Sequence, residues 1–100
     1  MEEWFDVAKR IETSALAAAQ QAGLDTEAFS ADVRPADPRF GDMQVNGALP
    51  YAKRLKTNPR EIAQKLVAAL ESDDAVSTVA DLSIAGPGFI NFRFKPEFFL

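Results

Sequence analysis

Apolar residues first recur at helical spacing between Glu3 and Ala22. Trp4, Ala8, Ile11, Ala15, Ala18 and Ala22 share one stripe, with Val7 and Leu16 beside it. This predicts an amphipathic helix, and its many alanines fit close packing against a sheet. Gly23 is the expected stop. The period then changes to two. Phe29, Ala31 and Val33 alternate with Ser30, Asp32 and Arg34, a strand that Pro35 ends. The loop Ala36-Asp37-Pro38-Arg39-Phe40-Gly41 is stiffened by two prolines and released at Gly41. Residues 42–46 predict a second short strand, with Met43 and Val45 inward and Gln44 and Asn46 outward. Gly47 to Leu55 reads as a short helix that tolerates Pro50 in its first turn. Asn58-Pro59-Arg60-Glu61 is a sharper signal: an N-cap, a proline at the first helical position, and a Glu placed for a capping box. Ile62, Leu66, Ala69 and Leu70 give that helix its buried stripe, ending near Glu71. Ser72-Asp73-Asp74 reads as a polar break. A third strand lies within 76–85, clearest where Leu82 and Ile84 alternate with Asp81 and Ser83.

The last strand follows Gly86-Pro87-Gly88. Pro87 suits the first central position of a type II turn, and Gly88 suits the positive φ of the second. Beyond the turn, Ile90, Phe92 and Phe94 fall on one face, and Phe89, Asn91, Arg93 and Lys95 on the other. The first set is a core face, so Ile90, Phe92 and Leu66 are expected to be buried. The predicted order is α-β-β-α-α-β-β. It implies a two-layer α+β domain with helices on one face of a four-stranded, mainly antiparallel sheet. The other face is expected to stay solvated, carrying Phe89, Asn91 and Arg93.

Two readings fit that second face. A ring, an amide that donates and accepts, and positive charge are what an unstacked RNA base requires. The same residues also fit a Phe89 packed on a neighbouring domain beside wet polar groups. Lys53, Arg54, Lys56 and Arg60 form a basic cluster that suits either phosphate contact or a solvated helix face. Asp42, a lone carboxylate, suits turn capping better than acid–base work.

Composition narrows the chemistry. The chain has 100 residues, 47% of them hydrophobic and eight of them Phe, so one domain, 1–100, with a modest core is expected. It has no Cys and no His, which removes disulfides, thiolate nucleophiles, the commonest general base and the usual metal ligands. Neither catalytic nor metal-binding residues are expected, and the Gly-Pro-Gly segment lacks the Lys-Ser/Thr of a phosphate-binding loop. The net charge of -4 excludes tight RNA binding by bulk charge, so any RNA contact is local. No apolar run reaches membrane-spanning length, and the acidic start is unlike a targeting peptide. A cytoplasmic location, with neither membrane nor DNA as partner, is the expectation. The apolar Phe98-Phe99-Leu100 run fits a chain that continues onto a neighbour.

Four segments together carry a resemblance. They are Asp32-Val33-Arg34-Pro35, Phe40-Gly41-Asp42-Met43-Gln44-Val45-Asn46-Gly47, Asn58-Pro59-Arg60-Glu61-Ile62-Ala63 and Gly86-Pro87-Gly88-Phe89-Ile90-Asn91-Phe92. No one of them is decisive. Their ordered combination, spanning essentially the whole chain, resembles the N-terminal additional domain of arginyl-tRNA synthetase. The resemblance implies a tRNA-recognition module preceding a class I catalytic domain, contacting the D-loop of tRNA(Arg) at the tRNA corner. It implies that Phe89 stacks on a D-loop nucleotide and that Asn91 hydrogen-bonds it, with Arg93 on the same strand. Gln44, Asn46, Lys53 and Arg54 are weaker candidates for RNA contact. The HIGH-type and KMSK-type signatures of the ATP site are absent, so the fragment itself is expected to be non-catalytic. ATP with Mg would belong to the catalytic domain of the parent arginine–tRNA ligase. A free-standing RNA-binding or ribosome-associated protein, and a protein-interaction module using Phe89 and the C-terminal run, are the competing readings.

Overall fold

The computed structural model describes residues 2–99, and the side chains of residues 6–97. The expectations for Trp4 and for the Phe98-Phe99-Leu100 run fall outside the described side chains. The chain runs α1 (Glu2–Gln21), β1 (Val33–Pro35), β2 (Met43–Val45), α2 (Ala48–Leu55), α3 (Pro59–Glu71), α4 (Asp74–Ser77), β3 (Ala80–Ala85) and β4 (Phe89–Phe94), then a 3₁₀ turn at Pro96–Phe99. The four strands form one antiparallel sheet in the order β1-β2-β4-β3. The expected α+β architecture is therefore the one observed. Among the described residues, no helix is long and apolar enough to cross a membrane.

Local chemistry explains most element ends. α1 closes at Gly23, whose φ of 82° lets the Leu24 N–H donate to the Ala19 carbonyl and the Gly23 N–H to Gln20, a Schellman arrangement. The Asn58 side chain accepts from the N–H groups of Arg60 and Glu61, with Pro59 in the first turn of α3. Asp42 is structural, but not as the turn cap expected of it: its carboxylate reaches across to β4 and accepts from the Phe94 N–H at 2.8 Å, while its own N–H donates to the Phe92 carbonyl.

The core lies between the helices and one sheet face. Val45, Ile90, Phe92, Leu66 and Leu70 are all at most 2% exposed, so the inward register of β2, α3 and β4 is as the alternation implies. Leu16 departs from the predicted stripe and is solvent-exposed, Ala19 taking the buried position instead.

Three other expectations need correction. The first strand is only Val33–Pro35. Asp32, at φ 50°, breaks the extended run, although Phe29 and Ala31 are buried as their alternation implied. Where a polar break and the start of a strand were expected, α4 forms instead, over Asp74–Ser77, because the Asp73 side chain accepts from the Ala75 N–H and caps it; β3 accordingly starts at Ala80. The β3–β4 turn is displaced by one residue. The Gly88 N–H donates to the Ala85 carbonyl, so Gly86 and Pro87 are the central pair, with the positive φ (56°) on Gly86. Positive φ at the first central position suits the right-handed twist of a hairpin, which a type II turn would splay.

Candidate nucleic-acid interface

The face of the sheet away from the helices is built in cross-strand rows. Arg34 on β1, Gln44 on β2, Asn91 on β4 and Ser83 on β3 are consecutive register partners. On either side of that row, Phe89 stands opposite Ala85 and Arg93 opposite Asp81. Alternation along β4 thus gathers Phe89, Asn91 and Arg93 on one face, with Gln44 beside them, as the sequence implies.

That face is less open than expected. Phe89 is half-buried and Arg93 exposed, but Asn91 is only 1% exposed. Its Oδ1 accepts from Gln44 Nε2 at 2.7 Å, while its Nδ2 is buried with no partner. The 36–41 loop closes over this end of the face. An Arg93 guanidinium nitrogen donates to the carbonyls of Pro38 and Arg39, each at 3.2 Å. Gly41 comes so close that a Cβ there would sit 2.8 Å from the Phe92 carbonyl oxygen and 3.4 Å from Asn91 Cβ. A period-two pattern tells which way a side chain points but not what folds over it, so the sequence could not reveal this cover.

The loop is held by a compact polar network. The Asp37 carboxylate accepts from the Arg39 backbone N–H and from its guanidinium, at 2.8 Å in the closest contact. The Asp37 carbonyl also accepts from the N–H groups of Phe40 and Gly41. Hydrogen bonding from the Arg39 side chain, then from its backbone N–H, holds the Asp37 carboxyl down at about 2, and Arg39 is raised in turn. Because Asp37 has a lower pKa folded than its ordinary 3.8, this pairing favours the folded state above that ordinary value and loses its effect as pH falls through about 2. A carbon-detected NMR titration should place the Asp37 midpoint near 2, rising in Arg39→Ala toward the ordinary carboxylate range but staying below it, because the backbone N–H at position 39 still donates. A midpoint near 4 in the unsubstituted chain would show that the pair does not persist in solution.

At the other end of β4 the hairpin turn is docked on α3. A Cβ at Gly88 would meet the Pro59 carbonyl at 2.9 Å, and Arg60 donates to the Gly86 carbonyl at 2.8 Å. The turn before Phe89 is thereby fixed against the start of α3. Lys53 and Arg54 are exposed in the last turn of α2, and Lys56 follows in a left-handed C-cap. The basic cluster therefore lies on the α2–α3 corner that carries the Phe89 turn, although Arg60 itself is engaged with that turn. Asn46 sits apart, past the end of β2: its N–H donates to the carbonyls of Ala31 and Asp32, and its side-chain oxygen is buried without a partner. Among the described residues no cluster of His, Cys, Asp or Glu could hold a metal ion.

Two features escaped sequence reasoning. One is Phe40, 47% exposed, with the Arg39 guanidinium 5.4 Å from its ring centroid. The available signal was an aromatic between Pro38 and Gly41 that continues no periodic stripe. The other is the Gln44–Asn91 pair, which only strand register brings together.

The family model described as "Arginyl tRNA synthetase N terminal domain" matches residues 7–94. An arginine–tRNA ligase from Pseudoalteromonas translucida is 46% identical over 85 residues, covering 84% of this chain and 14% of that protein. One from Synechococcus is 45% identical over 94 residues, covering 91% of this chain and 16% of the relative. The crystal structure of arginyl-tRNA synthetase from Plasmodium falciparum superposes with a TM-score of 0.72 at 20% identity, over 92% of this chain and 16% of that one. That last likeness is one of fold. The chain spans about a sixth or less of the length of these proteins.

Proposed function

The chain belongs to the arginyl-tRNA synthetase N-terminal domain family, and from that premise we propose that it is the tRNA-recognition module of a longer arginine–tRNA ligase. It contacts the D-loop of tRNA(Arg), while the remainder of that protein supplies the ATP- and Mg-dependent arginylation. The observation that carries this reading is the position of Phe89. A half-buried ring opens β4 on the helix-free face, on a turn pinned to α3 and beside the basic α2–α3 corner. A ring held by its backbone on a docked turn loses little freedom when a base stacks on it. Lys53 and Arg54 contribute phosphate contact from that corner.

Asn91 enters differently from a solvated reader. Its Nδ2 is a donor without an acceptor, and Gln44 already occupies its oxygen. A base edge offering an acceptor, once past the cover on this face, relieves an unsatisfied buried donor, a penalty of about 1–3 kcal/mol. Asn91 therefore reads an acceptor, and Gln44 keeps its amide in that orientation. Arg93, tied to the loop carbonyls, chiefly holds the 36–41 loop in place.

The test is aminoacylation by the full-length ligase carrying Phe89→Ala. Stacking is worth about 1–3 kcal/mol per base, so kcat/KM for tRNA should fall roughly ten- to a hundredfold. The KM for arginine and for ATP should be unchanged. Lys53→Ala and Arg54→Ala should instead flatten the salt dependence of tRNA binding. An unchanged kcat/KM for tRNA in Phe89→Ala, with folding intact, would reduce the ring to a packing residue.

A further inference from the structure

We propose that Phe40 is a second stacking surface on the same face, taking another unpaired base of the RNA that engages Phe89. The inference rests on the tRNA-recognition reading above and extends it to the 36–41 loop.

Phe40 is the most exposed large apolar side chain among the described residues, at 47%. Leaving a ring in water is ordinary on a mobile surface loop, but this loop is held at several points. The Asp37 carbonyl and carboxylate fix the turn from within, and Arg93 fastens two of its carbonyls to the sheet. Gly41 is seated against Phe92 with no room for a side chain. The chain thus orders the backbone on both sides of a ring that remains half in water, which is the pre-organisation a binding contact uses.

The surroundings favour a base over an apolar protein partner. Arg39 lies over the ring, and Arg93, Gln44, Ser83 and Asp81 occupy the neighbouring part of the face. A protein-docking patch presents contiguous apolar area, whereas a single ring among charged side chains and amides suits stacking. The exposure of Phe40 is what remains with Arg39 already over it, so ring surface is left for a base. Arg93, which anchors the loop, stands four residues along β4 from Phe89, or about 13 Å at the usual strand rise. The loop that carries Phe40 and the turn that carries Phe89 therefore lie at opposite ends of the Gln44–Asn91 row, and a short run of unpaired nucleotides crossing the face would reach both rings.

The experiment measures tRNA affinity of the full-length ligase by filter binding at fixed salt, for Phe40→Ala, Phe40→Leu and Phe40→Tyr, with Phe89→Ala in parallel. Each variant is checked by thermal unfolding. Phe40→Ala and Phe40→Leu should both weaken binding by about tenfold or more, and Phe40→Tyr should bind like the unsubstituted enzyme. With a tRNA carrying abasic positions in the D-loop, the Phe40→Ala deficit should vanish. If all Phe40 variants bind normally while Phe89→Ala is impaired, Phe40 contacts no base and the Phe89 reading stands. If Phe40→Leu binds normally while Phe40→Ala is weakened, the side chain packs against protein and the inference is overturned. If Phe89→Ala also binds normally, the RNA-recognition reading of the face falls, and this inference with it.

Discussion

Replacing Gly47 by alanine is expected to destabilise the domain by more than about 3 kcal/mol, beyond the usual 1–3 kcal/mol of overpacking. The reason is space, not backbone freedom. Gly47 has φ -76° and ψ -14°, which any residue adopts. A Cβ there would lie 1.8 Å from the Ser30 carbonyl oxygen, 2.9 Å from its carbon and 3.1 Å from a Phe29 ring atom. The obstructing atoms are mainly backbone, so no rotamer change relieves them. Moving that backbone would disturb Phe29, whose ring packs edge-on against Tyr51 with centroids 6.0 Å apart. It would also disturb Ala31, which is buried and whose carbonyl accepts from Asn46. A domain of this size has only about 5–15 kcal/mol of stability in all. At roughly 4–8 °C per kcal/mol, Tm should fall by more than about 12 °C. Thermal unfolding followed by circular dichroism measures it, and a Tm within a few degrees of the unsubstituted chain would mean that the 29–31 segment yields freely.

Phe92→Ala is expected to cost about 3–5 kcal/mol. Phe92 is 2% exposed at the centre of the sheet, opposite Met43 on one neighbour and Leu82 on the other. Its ring also borders a small, mostly apolar pocket, half open to solvent, between α1 and the α4 region and lined by Val7, Arg10, Ile11, Ser14, Val76 and Val79. Removing the ring widens that pocket, and walls held by the sheet ladder close only partly over the lost volume. Phe89→Ala, on the opposite face and only half-buried, should cost far less. Urea unfolding of both variants provides the measurement, with the midpoint shifting and the slope unchanged for Phe92→Ala. If Phe89→Ala proved the more damaging, the face assignment of β4, and with it the candidate interface, would be inverted.

The comparison of these two phenylalanines shows how far a linear pattern reaches. They lie three positions apart in sequence, and period-two alternation alone sorts one into the core and the other onto the candidate interface face. The Asn58-Pro59 start of α3 and the Gly23 end of α1 were likewise legible, because each is a short-range bond between a side chain or a left-handed backbone and the groups a helix end leaves unpaired. The short helix at Asp74–Ser77 was missed because four residues carry no periodicity; only the Asp73 cap marks it.

The sequence by itself thus determined the two-layer class, the inward and outward sets on β2, α3 and β4, and the candidate residues Phe89, Asn91 and Arg93. These rest on interactions within a few positions of each other and on the hydrophobic period. Tertiary structure alone decided that Asn91 is closed off with its oxygen on Gln44, 47 positions away. It also decided that the 36–41 loop folds back onto Arg93, that the Gly-Pro-Gly turn docks on Pro59, and that Gly47 must have no side chain because Ser30 stands where one would go. Each of these is an approach between segments far apart in the chain, and no residue's own preference encodes which distant carbonyl will arrive beside it.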